Sequence, residues 1–223
     1  MSLTRSTLLG LAGAALAATR GRAQPVGHLH QRPIPSSREM LPVIGVGTWR
    51  TFDVGNRADA RAPLAEVLRL LFAAGGSVID SSPMYGASEG VVGDLLAEAG
   101  TRDRAFLATK VWTSGRDNGV AQMRASLRLL RTDRIDLMQI HNLVDWRVHL
   151  ATLKAMKAEG RIRYIGITHY TPSAHDELES VMRAEKWDFV QLNYALDLLR
   201  GIQINQAFPP SAEKAAAEAV VPN

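Results

Sequence analysis

The chain has 223 residues, 46% of them apolar and 22% charged, enough for one globular domain with a substantial core. Its formal net charge is +4, but Arg5, Arg20 and Arg22 supply three of those charges within an acid-free stretch at residues 1–23. No basic cluster interleaved with aromatics marks a nucleic-acid partner, and the lack of cysteine excludes disulfides and thiolate metal sites.

Residues 1–23 read as a signal peptide. Arg5 opens it, and 6–18 is an uncharged stretch of leucine and small residues. That stretch is too short to span a bilayer but suits the apolar centre of an export signal. Ala15-Leu16-Ala17 and Gly21-Arg22-Ala23 both offer the small residues a signal peptidase prefers. Residues 4–9 are partly like a twin-arginine signal, with one arginine instead of two. The expected location is the periplasm, with the cytoplasm as the alternative. Residues 24–41 are expected to be a solvated linker. His28 and His30 within it lack a third ligand, so no metal site is expected.

From Pro42 onward short apolar runs alternate with helical patterns, and 42–223 is expected to be one domain. Residues 43–46 form the first strand-like run. Leu64, Val67, Leu68, Leu71 and Phe72 then mark one helix face, stopped at Gly75-Gly76. Residues 77–79 are the second strand. Ser88 is the expected N-cap of the next helix, with Glu89 in its first turn and Val91, Val92, Leu95 and Leu96 as its stripe. Residues 105–109 are the third strand, and Met123, Leu127 and Leu130 mark the following helix. Residues 135–140, 164–167 and 189–192 are the fourth to sixth strands. Leu150, Leu153 and Met156 mark one intervening helix, and Leu178, Val181 and Met182 the other.

The strands are short and apolar on both faces, as buried parallel strands are. Six strands alternating with five helices predict an α/β fold with right-handed parallel crossovers. A parallel (β/α) barrel of the TIM type and a doubly wound open sheet both fit this pattern. The lack of a Gly-x-Gly-x-x-Gly after the first strand disfavours a dinucleotide-binding open sheet. After Tyr194 the pattern degrades. Residues 202–205 make a poor seventh strand, Pro209-Pro210 breaks the chain, and no eighth strand is visible. A closed barrel needs ~250 residues, so the expected barrel is incomplete, with strands seven and eight degraded or missing.

Asp80, Tyr85, Lys110 and His141 each lie at or just beyond the carboxyl end of an expected strand. In a parallel barrel these ends converge on the face where catalytic groups gather. Singly, each has an ordinary structural reading: a turn cap, a packed loop residue, an edge charge, a satisfied histidine. Together their chemistry is complementary. A phenol is a poor acid unless its anion is stabilised, and a nearby ammonium favours the phenolate. An aspartate holds the ammonium charged and oriented, and a histidine can position a carbonyl oxygen. The set suits protonation of a carbonyl oxygen as hydride reaches its carbon.

Five segments carry a resemblance to a known family. They are 45–49 (Gly-Val-Gly-Thr-Trp), 80–89 (Asp-Ser-Ser-Pro-Met-Tyr-Gly-Ala-Ser-Glu), 108–112 (Ala-Thr-Lys-Val-Trp), 136–141 (Asp-Leu-Met-Gln-Ile-His) and 160–168 (Gly-Arg-Ile-Arg-Tyr-Ile-Gly-Ile-Thr). Together they resemble the aldo-keto reductases. The resemblance implies a β/α barrel that reduces a small-molecule carbonyl with NADP(H). It assigns proton donation to Tyr85, tuning to Lys110 and Asp80, and substrate orientation to His141. It places the nicotinamide carboxamide against Thr168 and His169, where the family more often has asparagine second, and against Gln191, with Tyr194 near the ring. Trp49 and Trp112 would wall the substrate pocket. The family's pyrophosphate and 2′-phosphate grips, after its seventh and eighth strands, have no recognisable counterpart. The competing expectation is therefore a non-catalytic barrel fragment that binds a partner, and a weaker one is a nucleotide-binding open α/β sensor.

Overall fold

The computed structural model describes residues 29–192. Residues 1–28, which hold the expected signal peptide, and 193–223, which hold Tyr194 and the weak seventh strand, lie outside them.

Two short strands, β1 (Gln31–Pro33) and β2 (Met40–Pro42), form an antiparallel hairpin. The segment expected as a linker is thus partly structured. Its anchor is Ile34, only 3% exposed, in a cluster with Phe106, Ala108, Leu137 and Tyr164. Polar contacts add to this. Glu39 pairs with Arg163 and accepts the Tyr164 phenol at 2.5 Å.

Six parallel strands follow: β3 (Gly45–Gly47), β4 (Val78–Asp80), β5 (Phe106–Val111), β6 (Ile135–His141), β7 (Ile162–His169) and β8 (Phe189–Leu192). They pair in chain order, each with the next. Consecutive right-handed crossovers in a sheet without order reversal put every helix on one face. That is the curled arrangement of a (β/α) barrel, here with six strands, and not the doubly wound alternative.

The helices are α1 (Ala58–Ala73), α2 (Ser88–Glu98), α3 (Arg116–Leu129), α4 (Trp146–Ala158) and α5 (His175–Ala184). Helix α1 starts six residues before the first residue of its apolar stripe, Leu64. Ala58, Ala60 and Ala62 favour helix without contributing to a stripe, so periodicity cannot see them. Ser88 is the first residue of α2, not its N-cap. Its hydroxyl donates to the carbonyls of Tyr85 (2.7 Å) and Thr48 (3.2 Å). The helix entry is instead satisfied by Asp53, whose carboxylate accepts the Ala87 N–H at 2.8 Å. Gly86 makes this approach possible. It has φ +60°, and a Cβ there would lie 2.3 Å from Asp53 Oδ1.

The period-two alternation of the strands sorts the core. Ile79, Leu107, Val111, Met138, Ile140, Ile165 and Ile167 face the helices and join the main cluster. Phe106, Ala108, Leu137, Tyr164 and Phe189 face the concave inside, over the hairpin. Further along the same inward rows the residues become polar: Asp80 in β4, Lys110 in β5, Gln139 and His141 in β6, Thr168 in β7 and Gln191 in β8. Register brings them level, with Lys110 beside Gln139, His141 beside Thr168, and Thr168 beside Gln191.

Candidate active site

Lys110 organises this polar tier. It is 1% exposed, and its three ammonium protons are all used. They go to Asp80 Oδ1 (2.9 Å), Asp80 Oδ2 (2.8 Å) and the Ser81 carbonyl (2.7 Å). Burial pulls the Lys110 ammonium down, and the Asp80 charge opposes that. Two amides complete the Asp80 shell. Gln139 Nε2 donates to Oδ1 at 3.3 Å, and Gln191 Nε2 to Oδ2 at 3.2 Å. Gln139 Nε2 also reaches Gln191 Oε1 at 3.2 Å, while its own Oε1 is buried without a partner.

Tyr85 leaves the strand end through a turn in which its N–H donates to the Ser82 carbonyl at 3.0 Å, with Pro83 at the second position. Its ring centroid lies 5.2 Å from Lys110 Nζ. The phenol is pushed up to about 12, first by burial and then by the Asp80 charge. This corrects the expectation that the ammonium lowers it. The Lys110 charge is spent on Asp80, and the net field at the phenol opposes ionisation.

His141 is 6% exposed and packs edge-on to Tyr85, with ring centroids 6.2 Å apart at 89°. The Trp112 ring lies 6.4 Å from that of His141, tilted by 57°. Burial, then the charge of Lys110, then His169 bring its imidazolium down to about 4. The ring is therefore neutral at physiological pH.

The expected cofactor residues lie along the adjoining rim. Thr168 is buried at 6% exposure. His169 stacks on Tyr170, and its Nδ1 accepts the Thr171 N–H at 3.1 Å. Burial also depresses this imidazole, so it is neutral and its proton sits on Nε2. A carboxamide needs a donor and an acceptor, and the Thr168 hydroxyl with the His169 Nε2–H supplies both. Gln191 is occupied by Asp80 and Gln139, yet it adjoins the orphaned Gln139 Oε1. This donor set fits a nicotinamide. Trp49 and Trp112 are 59% and 42% exposed, as open pocket walls are. Trp49 follows Thr48, whose N–H donates to the Asp80 carbonyl at 3.0 Å, so it rises from the same rim. Below the tier, Asp80, Gln139 and Gln191 roof a cavity of about 430 Å³ floored by Leu41, Phe106 and Leu137.

The structure thus joins Asp80, Lys110, Tyr85 and His141 in one cluster, with Thr168, His169 and Gln191 beside it. Sequence reasoning missed Gln139 and Ser82. Gln139 precedes His141 by two on one strand, so alternation alone puts it on the same face. Among the described residues no group of three or more His, Cys, Asp or Glu is placed to hold a metal, and no helix is long and apolar enough to cross a membrane.

A family model described as the aldo/keto reductase family matches residues 43–211. Methylglyoxal reductase YeaE of Escherichia coli is 32% identical over 157 residues, which are 67% of this chain and 54% of that protein. Aldo-keto reductase YhdN of Bacillus subtilis is 31% identical over 153 residues, 62% of this chain and 46% of that protein. The chain therefore spans about half the length of the curated relatives it matches. Among solved structures, an aldo-keto reductase from Klebsiella pneumoniae in complex with NADPH is 30% identical with a TM-score of 0.54, over 63% of this chain and 50% of that one.

Proposed function

The chain belongs to the aldo/keto reductase family, and we propose that it reduces aldehyde or ketone carbonyls to alcohols with NADPH, Tyr85 giving the proton. The observation that carries this reading is the Lys110 ammonium, fully bonded to Asp80 and Ser81 with the Tyr85 ring over it. NADPH held in the site would supply the hydride for the carbonyl carbon. Thr168 and His169 are the residues that would hold its carboxamide, with Gln191 and Gln139 alongside.

The chain's own groups do the rest. Before reaction Tyr85 is protonated, because burial and Asp80 disfavour its anion. As negative charge grows on the substrate oxygen, that oxygen becomes a far stronger base than a phenolate. The O–H bond of Tyr85 then breaks and the proton moves to the substrate. The phenolate left behind faces the Lys110 ammonium and regains its proton from solvent. His141, neutral, fixes the carbonyl oxygen against Tyr85. Trp49 and Trp112 stand as open walls on either side of the place where the substrate would bind. Small 2-oxoaldehydes are the first substrates to try, given the methylglyoxal reductase among the relatives.

NADPH titration of the full chain, followed by quenching of tryptophan fluorescence, tests the cofactor half of this reading. Saturable quenching at about micromolar NADPH is expected. No saturation at about millimolar concentrations would favour the non-catalytic binding reading instead. Residues 1–23 further support export to a periplasm. Recovery of the chain only from the cytoplasmic fraction of expressing bacteria would refute that.

A further inference from the structure

We propose that Ser82 is a positioning residue that fixes the tautomer of His141, holding its Nε2 as the N–H that meets the substrate oxygen. The inference rests on the carbonyl-reduction reading for its consequence, but the geometry stands by itself. Ser82 Oγ lies 3.2 Å from His141 Nδ1, and Ser82 is 0% exposed. The Ser82 backbone is locked by its carbonyl, which accepts the Tyr85 N–H at 3.0 Å. Its hydroxyl oxygen also accepts the Met84 N–H at 3.4 Å, the local turn that serines favour.

The direction of the Ser82–His141 bond follows by counting protons. One lone pair of Ser82 Oγ already receives the Met84 amide. The hydroxyl proton has one acceptor in reach among the described residues, His141 Nδ1. If Nδ1 carried a proton instead, a fully buried hydroxyl proton would be stranded, which is costly. Protonating both ring nitrogens would strand it equally, in a site where Lys110 already opposes a second positive charge. The arrangement left is neutral His141 with Nδ1 accepting and Nε2 protonated. Nε2 makes no hydrogen bond to any described residue, and it is not among the buried atoms left without a partner. It is therefore open to the pocket, as a donor. In the other tautomer it would present a lone pair to the carbonyl oxygen and repel it.

The same loop therefore governs both groups that act on that oxygen. Tyr85 comes directly from the turn, and His141 is set through Ser82 at the turn's first position.

The test is nitrogen-15 NMR of the histidine rings in the full chain, for wild type, Ser82→Ala and Ser82→Thr, with turnover measured in parallel. Wild type is expected to show His141 with Nδ1 unprotonated and Nε2 protonated. Ser82→Ala should show both tautomers in exchange, and its kcat should fall about twofold, the loss expected when roughly half of the rings carry the unproductive tautomer, while NADPH affinity stays unchanged. Ser82→Thr keeps the hydroxyl and should restore both signals. A protonated Nδ1 in wild type, or a Ser82→Ala protein with unchanged ring shifts, would overturn the proposal. A wild-type chain with the expected tautomer, lost in Ser82→Ala, but with no turnover would uphold the role of Ser82 and count only against the reductase reading.

Discussion

Replacing Asp80 by asparagine should expose how much the site depends on one ion pair. Lys110 is 1% exposed, and among the described residues no charge other than Asp80 is bonded to it. In Asp80→Asn one carboxylate oxygen becomes an NH₂ group facing the Lys110 ammonium and the Gln191 or Gln139 amide. Donors would then meet donors around a buried charge. Breaking a buried pair by removing one partner costs about 3–5 kcal/mol. For a domain of this size each kcal/mol lowers Tm by ~2–4 °C, so a fall of about 6–20 °C is expected. The deficit should depend on pH. Burial holds the folded-state Lys110 pKa below its unfolded value, so the folded protein binds fewer protons in the window between the two, and stability rises with pH there. Removing Asp80 lowers the folded value further and widens that window toward neutrality. Urea unfolding at about pH 7 and about pH 10 should show the variant's deficit shrinking on the alkaline side. The double variant Asp80→Asn, Lys110→Met removes the orphaned charge and should be more stable than Asp80→Asn alone. A single-variant cost under about 1 kcal/mol, or a double variant less stable than the single one, would refute the reasoning.

Three further outcomes follow from the geometry. His141 stays neutral down to about 4 and Tyr85 stays protonated up to about 12, so neither should bend a kcat/KM profile measured between about pH 6 and pH 9. Unfolded His141 binds its proton at higher pH than folded His141, so stability should fall as pH drops from its ordinary value toward about 4, and His141→Gln should flatten that slope in thermal melts. Glu89 is 1% exposed and accepts the hydroxyls of Thr109 (2.6 Å) and Ser126 (3.1 Å) between sheet and helices. Glu89→Ala should cost ~1–3 kcal/mol for each stranded hydroxyl in urea unfolding, and adding Thr109→Val and Ser126→Ala should recover part of it.

Much of the fold was legible because buried parallel strands announce themselves. Every residue of Ile135–His141 is buried, and the sequence there is mostly apolar, with Asp136 and Gln139 interrupting the run and His141 ending it. The start of α1 was not legible, since alanines carry no stripe. The hairpin was hidden for a different reason. Gln31, Arg32 and Pro33 are exposed, and its hold on the core comes from a few isolated side chains, Ile34 with Leu41 packed beside it and the buried Pro42. Strand-end position sufficed to place Asp80, Lys110 and His141 on one inward-facing tier. The charge environment of Tyr85 was not readable, because it depends on burial and on which partner Lys110 faces. Ser82 and Gln139 are ordinary residue types, and only the turn and the register give them their bonds.

The central claim is that Tyr85 and its neighbours protonate a carbonyl oxygen during NADPH-dependent reduction. It is tested most directly by following NADPH consumption by the full chain with methylglyoxal, for wild type and Tyr85→Phe. Wild type should consume NADPH steadily, and Tyr85→Phe should lose about 10²–10⁴-fold in kcat with NADPH binding retained. Equal rates in the two proteins, or no consumption by a folded wild-type chain that binds NADPH, would contradict it.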